Sequence, residues 1–150
     1  MINCSIHGGL GIGINGATSI NMYFENNIVW DQIQHGVIFL SVVATQFHNN
    51  FVGHIRPRSA IMNLEGVGMG SLDIHGAVLF CSLEYPKPCP GFSITNNIVG
   101  GSVYVGFIAP GHDCGDNDQR VFRDNVAHSI GGGLNGVGAV VTADTSKLEH

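Results

Sequence analysis

His54, Arg56, Arg58 and His75 are the residues of this chain whose types most readily suggest chemistry. Elimination on a uronate polymer needs a base to remove the proton alpha to the carboxylate, and a cation to hold the enolate that forms. His54 or His75 can supply the base, and Arg56 or Arg58 the clamp. The trio His54, Arg56 and Arg58 would equally suit simple binding of carbohydrate. Against both stands the plain reading of Arg56-Pro57-Arg58 as a solvated loop tip. Spacing alone does not make the four side chains converge.

Other candidates are scattered more widely. Asp113, Asp116 and Asp118 offer hard oxygen ligands of the kind Ca²⁺ takes. Their spacing lacks the distal Glu of an EF-hand loop, and a solvated acidic turn is the preferred reading, with no cofactor expected. His35, His75 and His128 each flank an apolar run, and a line of histidines up one face could hold a metal or an anionic sugar. Stacked polar positions at turns are the simpler account. Four cysteines allow three full pairings. Cys89–Cys114 would join corresponding loops, Cys81–Cys89 is the competitor, and Cys4 and Cys81 also read as buried thiols. Asn3-Cys4-Ser5 is a formal glycosylation sequon, though an Asn engaged in a turn would be a poor acceptor.

What must position these residues is a repeat. Phe24-Glu25-Asn26-Asn27-Ile28-Val29 returns as Phe47-His48-Asn49-Asn50-Phe51-Val52 and as Ile94-Thr95-Asn96-Asn97-Ile98-Val99. A degraded copy is Phe122-Arg123-Asp124-Asn125-Val126-Ala127, and Asn3 marks a truncated one. With the second Asn as marker the steps are 24 (3 to 27), 23, 47 and 28 residues. Periods of this order indicate units too small to bury their own apolar face alone. Nine residues after Asn27 and Asn97 come Gly36 and Gly106, each opening an apolar run; Gly8 to Ile14 is assigned the same place after Asn3, and Ala139-Val140-Val141 after Asn125. Each coil then reads as a strand, an Asn turn, a strand, a Gly bend and a third strand. Asn tolerates the left-handed region the turn needs, and its amide can stack from coil to coil. The expected fold is all-β: a right-handed parallel β-helix, pectate-lyase-like, of about five to six rungs, with Asn27, Asn50, Asn97 and Asn125 as the ladder.

The long step is explained by pairing Gly76–Phe80 with Gly36–Leu40, each preceded by His. Asn50 and Gly76 are then 26 residues apart where nine are usual, so an insertion of 17 is expected over about Ile55–Leu72. A sixth, motif-less rung through Ile61-Met62-Asn63-Leu64 is the rival. Residues 1–146 form one domain on this reading, a piece of a longer solenoid, while Lys147 to His150 read as the start of a purification tag. The 22 glycines and only six Lys plus Arg leave little for amphipathic helices. A net charge of −5 argues against nucleic acid as a partner. No apolar run approaches the ~20 residues of a membrane span, so direct insertion is not expected.

Pro110-Gly111-His112-Asp113-Cys114-Gly115, followed by Val121 to Gly132 with its Asn125-Val126-Ala127-His128-Ser129 element, resembles the parallel β-helix region of fibrocystin and fibrocystin-like proteins. Hyaluronan-handling cell-surface proteins with a G8 domain carry a similar element. The resemblance is strongest over about residues 94–142. It implies an extracellular, disulfide-tolerant segment of a large cell-surface protein, acting as a structural or interaction module with polysaccharide or another protein as partner. The alternative is a fragment of a polysaccharide lyase or hyaluronan depolymerase; no catalytic residue of those relatives maps onto a motif here. A stack cut across its strands should also associate end to end.

Overall fold

The computed structural model describes residues 1–40, 42–57, 76–80, 91–103, 105–110, 121–131 and 136–142. They contain fourteen short strands and no helix. The strands fall into three all-parallel sheets that the chain visits in turn. The first sheet holds β3 (Tyr23–Glu25), β6 (Gln46–His48), β9 (Ser93–Thr95) and β12 (Val121–Arg123). The second holds β1 (Ser5–His7), β4 (Ile28–Ile33), β7 (Phe51–Arg56), β10 (Ile98–Ser102) and β13 (Val126–His128). The third holds β2 (Ile14–Ala17), β5 (Val37–Leu40), β8 (Gly76–Phe80), β11 (Val105–Pro110) and β14 (Val137–Thr142). Within each sheet every strand pairs with its counterpart one coil away, so the chain is a parallel-sheet solenoid.

The paired asparagines divide the work at the first corner. Asn3, Asn26, Asn49, Asn96 and Asp124 all have φ between 53° and 56°, the left-handed region where Asn and Asp are favoured among side-chain-bearing residues. After Asn26, Asn49, Asn96 and Asp124 comes an Asn whose side chain turns inward and stacks. Asn27 Nδ2 donates to Asn50 Oδ1 at 2.9 Å, Asn50 Nδ2 to Asn97 Oδ1 at 3.1 Å, and Asn97 Nδ2 to Asn125 Oδ1 at 3.0 Å. Each acceptor also takes the backbone N–H of the preceding ladder residue, and each Nδ2 donates back to a carbonyl of the coil before, as Asn97 does to Phe47 at 2.9 Å. Asn27, Asn50 and Asn97 are buried with these demands met.

Asn3 belongs to the turning position and not to the stacking one. Ile2 pairs with Glu25, and the backbone N–H of Cys4 meets Asn27 Oδ1 at 3.0 Å. The first step is therefore 23 residues, and Cys4 stands where an Asn would continue the ladder. The Cys4 thiol is free and exposed, against the expectation of burial. Likewise the third strand of this coil is Ile14–Ala17, later than the expected Gly8–Ile14. Gly8 is taken up by a left-handed corner at φ 67°, and the glycines after it carry the chain across to Ile14.

Strand alternation turns Val29, Val52 and Val99 inward from the second sheet and Phe47 and Ile94 from the first. Facing them, Phe39 packs on Phe80 and Phe24 with ring centroids 4.9 Å apart in each case. A fully buried Phe contributes roughly 1.5–3 kcal/mol, so this column is a main support of the stack. On the opposite face of the third sheet, Ile38, Leu79 and Ile108 align as a second small cluster.

The third sheet also corrects a register. Val37 pairs with Val78 and Phe39 with Phe80, which places Gly36 beside Ala77 and His35 beside Gly76. The expected equivalence of His35 with His75 is off by one residue. A one-residue slip exchanges the two faces of a strand, and burial of Phe39 against Phe80 decides the matter. His35 is wholly buried, with Nδ1 3.0 Å from the Gly76 carbonyl oxygen. Among the described residues, β4, β7 and β10 are consecutive neighbours, as are β5, β8 and β11, so β7 and β8 belong to one coil. The long segment starts later than expected, since Ile55 and Arg56 end β7, paired with Ser102 and Ile33.

Candidate functional site

A second corner, a bend inside β4, β7 and β10 and directly after β1 and β13, is also left-handed in every coil. His7, Trp30, Gly53, Gly100 and His128 are in register across the sheet. The residue after each, Gly8, Asp31, His54, Gly101 and Ser129, has φ between 53° and 71°. Glycine fills such a position without steric penalty, whereas a side chain there costs about 1–2 kcal/mol. Three coils place a side chain there, Asp31, His54 and Ser129, and the first two are neighbours, so Asp31 and His54 stand side by side.

The two side chains meet. His54 Nδ1 lies 3.0 Å from Asp31 Oδ1, and Arg56 Nε lies 2.7 Å from the same oxygen. All three are partly open to solvent, with side-chain exposures of 51% for His54, 41% for Arg56 and 30% for Asp31. The corner is held from within by Gln32, which is buried and donates from Nε2 to the Trp30 carbonyl at 2.9 Å.

Beside the ion pairs lies Trp30, 43% exposed. Its indole crosses onto the next coil and occupies the space above Gly53, where an added Cβ would stand 2.6 Å from the ring. The Phe51 ring is stacked with it at 18° and 5.8 Å, and the His54 ring centroid is 5.4 Å away. From the far side the His128 ring leans over Gly100, 2.8 Å from where a Cβ would be. Along the Asn-corner edge of this face runs a row of Ile28, Phe51, Ile98 and Val126, of which the three aliphatic members are exposed. By contrast, the outer face of the first sheet satisfies its own polar groups. His48 hydrogen-bonds Thr95 and Gln46, and the Tyr23 hydroxyl is held above its ordinary pKa chiefly by a hydrogen bond with Glu25.

Of the residues singled out from sequence, the structure brings His54 and Arg56 together, through Asp31. Arg58, His75, Asp113, Asp116, Asp118, Cys81, Cys89 and Cys114 lie outside the described residues, as does the rest of the Ile55–Leu72 segment beyond Pro57 and the tag-like end. His35 and His128 do not share a face: one is in the interior and the other on the outer surface of the second sheet. Among the described residues no group of three or more His, Cys, Asp or Glu is placed to hold a metal ion, and no helix is long and apolar enough to cross a membrane. Asp31, Trp30 and Phe51 were missed. Their signal was available: Trp30-Asp31 and Gly53-His54 sit at equal distances after Asn27 and Asn50.

No family model, curated protein or solved structure matches the chain.

Proposed function

We propose that this chain is an extracellular structural and interaction module that binds carbohydrate on the outer face of its second sheet. The reading takes the solenoid as a right-handed parallel β-helix, the hand that parallel crossovers overwhelmingly adopt, within a large cell-surface protein of the fibrocystin-like kind. The observation that carries the ligand is Trp30, laid over Gly53 beside the Asp31–His54–Arg56 cluster. An exposed indole face offers the electron-rich surface against which sugar C–H groups pack. Fixed polar groups beside an apolar surface set the orientation of a ligand. Strained side chains at a corner where glycine serves elsewhere are the kind of outlier that accompanies function. Trp30 is the chain's single tryptophan, so a change in intrinsic fluorescence on glycan titration tests the reading at this one place. No change with any glycan, together with no retention on glycan arrays, would remove it.

Among the described residues, β1 and β2 at one end and β12, β13 and β14 at the other pair on one side only, which supports end-to-end association of copies as a further partner mode. A concentration-independent monomer mass by light scattering would count against it.

A second reading draws on a different observation. Asp31 against His54 Nδ1 is the arrangement that orients an imidazole so that Nε2 can act as a base. It favours a polysaccharide lyase or depolymerase fragment, and predicts shortening of hyaluronan or uronate polymers that is lost in His54→Ala.

A further inference from the structure

We infer that the Trp30 site takes an uncharged glycan, two or more sugars long and lying along the stack axis, and discriminates against uronates. The inference rests on the carbohydrate reading above and specifies its ligand.

The first argument is the state of Arg56. A guanidinium recognises a uronate carboxylate through its charge as well as its N–H groups, and the charge of Arg56 is already opposed by Asp31, whose Oδ1 stands 2.7 Å from Nε. His54 takes the same Asp31 oxygen. A uronate reaching the terminal amino groups of Arg56 would bring a second negative charge beside the Asp31 carboxylate, which already opposes the guanidinium charge. The chain's net charge of −5 adds a general bias in the same direction.

The second argument is the complementarity of what is left. Both contacts use Asp31 Oδ1, so Oδ2 is turned to neither. Arg56 engages through Nε, and the terminal amino groups of its guanidinium stay outside that contact. An acceptor oxygen and a donor nitrogen side by side match a pair of vicinal hydroxyls, each of which donates one hydrogen bond and accepts another. A neutral pyranose with its C–H face on the Trp30 indole would bring two adjacent hydroxyls to this edge.

The third argument is length. Trp30 leans over Gly53 from one side and His128 leans over Gly100 from the other. Gly53 and Gly100 are direct neighbours in the second sheet, so the two rings lying over them stand about one strand spacing, ~4.8 Å, apart. The two rings follow one another along the stack axis, so successive sugars of a chain laid in that direction would each meet one ring.

The test titrates the full chain with cellotetraose, mannotetraose and chitotetraose, and with tetramannuronate and a hyaluronan tetrasaccharide, following Trp30 fluorescence. A neutral tetrasaccharide binding at least tenfold tighter than either uronate, and several-fold tighter than its own monosaccharide, is expected. Tighter binding of a uronate overturns this inference and leaves the carbohydrate reading standing. Silence from every sugar overturns both. Asp31→Asn separates the cases further, because Asn keeps the left-handed corner while releasing Arg56. It should lose neutral-sugar affinity by tenfold or more and gain affinity for tetramannuronate; an unchanged preference would contradict the role given to Asp31.

Discussion

Asn97 Oδ1 receives two hydrogen bonds from Asn50, one from its backbone N–H at 2.9 Å and one from its side-chain amide at 3.1 Å. Replacing Asn97 by Ala strands both donors in a buried setting and also removes the bonds Asn97 donates to Phe47 and Asn125. An unsatisfied buried group costs about 1–3 kcal/mol, so Asn97→Ala should lower stability by roughly 3 kcal/mol. Asn125→Ala, at the less buried end of the ladder, should lose about half as much. Urea denaturation checks both, with a lower midpoint at unchanged slope.

Cys4 occupies the ladder position without the ladder's side chain. Its backbone N–H already reaches Asn27 Oδ1, so Cys4→Asn adds an amide that can donate to the same oxygen. A gain of about 1 kcal/mol in stability is expected, as for one added hydrogen bond, again read by urea titration. In the wild type, the exposed Cys4 thiol should react with a thiol reagent without denaturant, and Cys4→Ser should remove that reactivity.

Most of the fold was legible because the Asn corner is written twice in each coil, once for turning and once for stacking. The nine-residue spacing to Gly36 and Gly106 located the third sheet in two coils. It failed at Gly8, where a glycine serves a different corner, and at Gly76, where an apparent His-Gly match concealed a slip of one residue. Packing of Phe39 on Phe80 fixes that register, and contacts between residues far apart in sequence leave no local mark on the chain. The site was half visible for the same reason. His54 and Arg56 stood out as a base and a cation close together in sequence, but the partner that joins them, Asp31, is 23 residues before His54 and becomes a neighbour only when the repeats are superposed.

At the second corner, stability and binding should part company. His54→Gly relieves a left-handed side chain at φ 53° and loses the contact with a partly exposed Asp31. Exposed ion pairs contribute about 0–1 kcal/mol, against about 1–2 kcal/mol for the conformation. His54→Gly should therefore be as stable as the wild type or slightly more so, while glycan affinity falls. Thermal unfolding beside fluorescence titration separates the two effects.

Two glycine substitutions should likewise diverge. In Gly53→Ala the new methyl meets the Trp30 and Phe51 rings on the outer surface, which can swing away. Trp30 emission should shift to the red, with glycan binding lost and unfolding changed by about 1 kcal/mol or less, as for most surface substitutions. In Gly36→Ala it meets Val52 at 2.3 Å and the Ala77 carbonyl oxygen at 2.8 Å in the interior. Overpacking there should cost about 1–3 kcal/mol and leave Trp30 emission alone.

The ladder runs in one direction, each amide donating a hydrogen bond to the carbonyl of the next, so every interior coil presents the same demand and meets the same one. Coils of this type can be duplicated or deleted in evolution with the fold intact, because the junction heals itself at the next asparagine. The Asp31–His54–Arg56 cluster has no such freedom. It belongs to the boundary between two particular coils, and a duplication of either one alone would copy half of it. Lineages that vary the length of the stack should therefore keep this pair of coils adjacent wherever they keep the site.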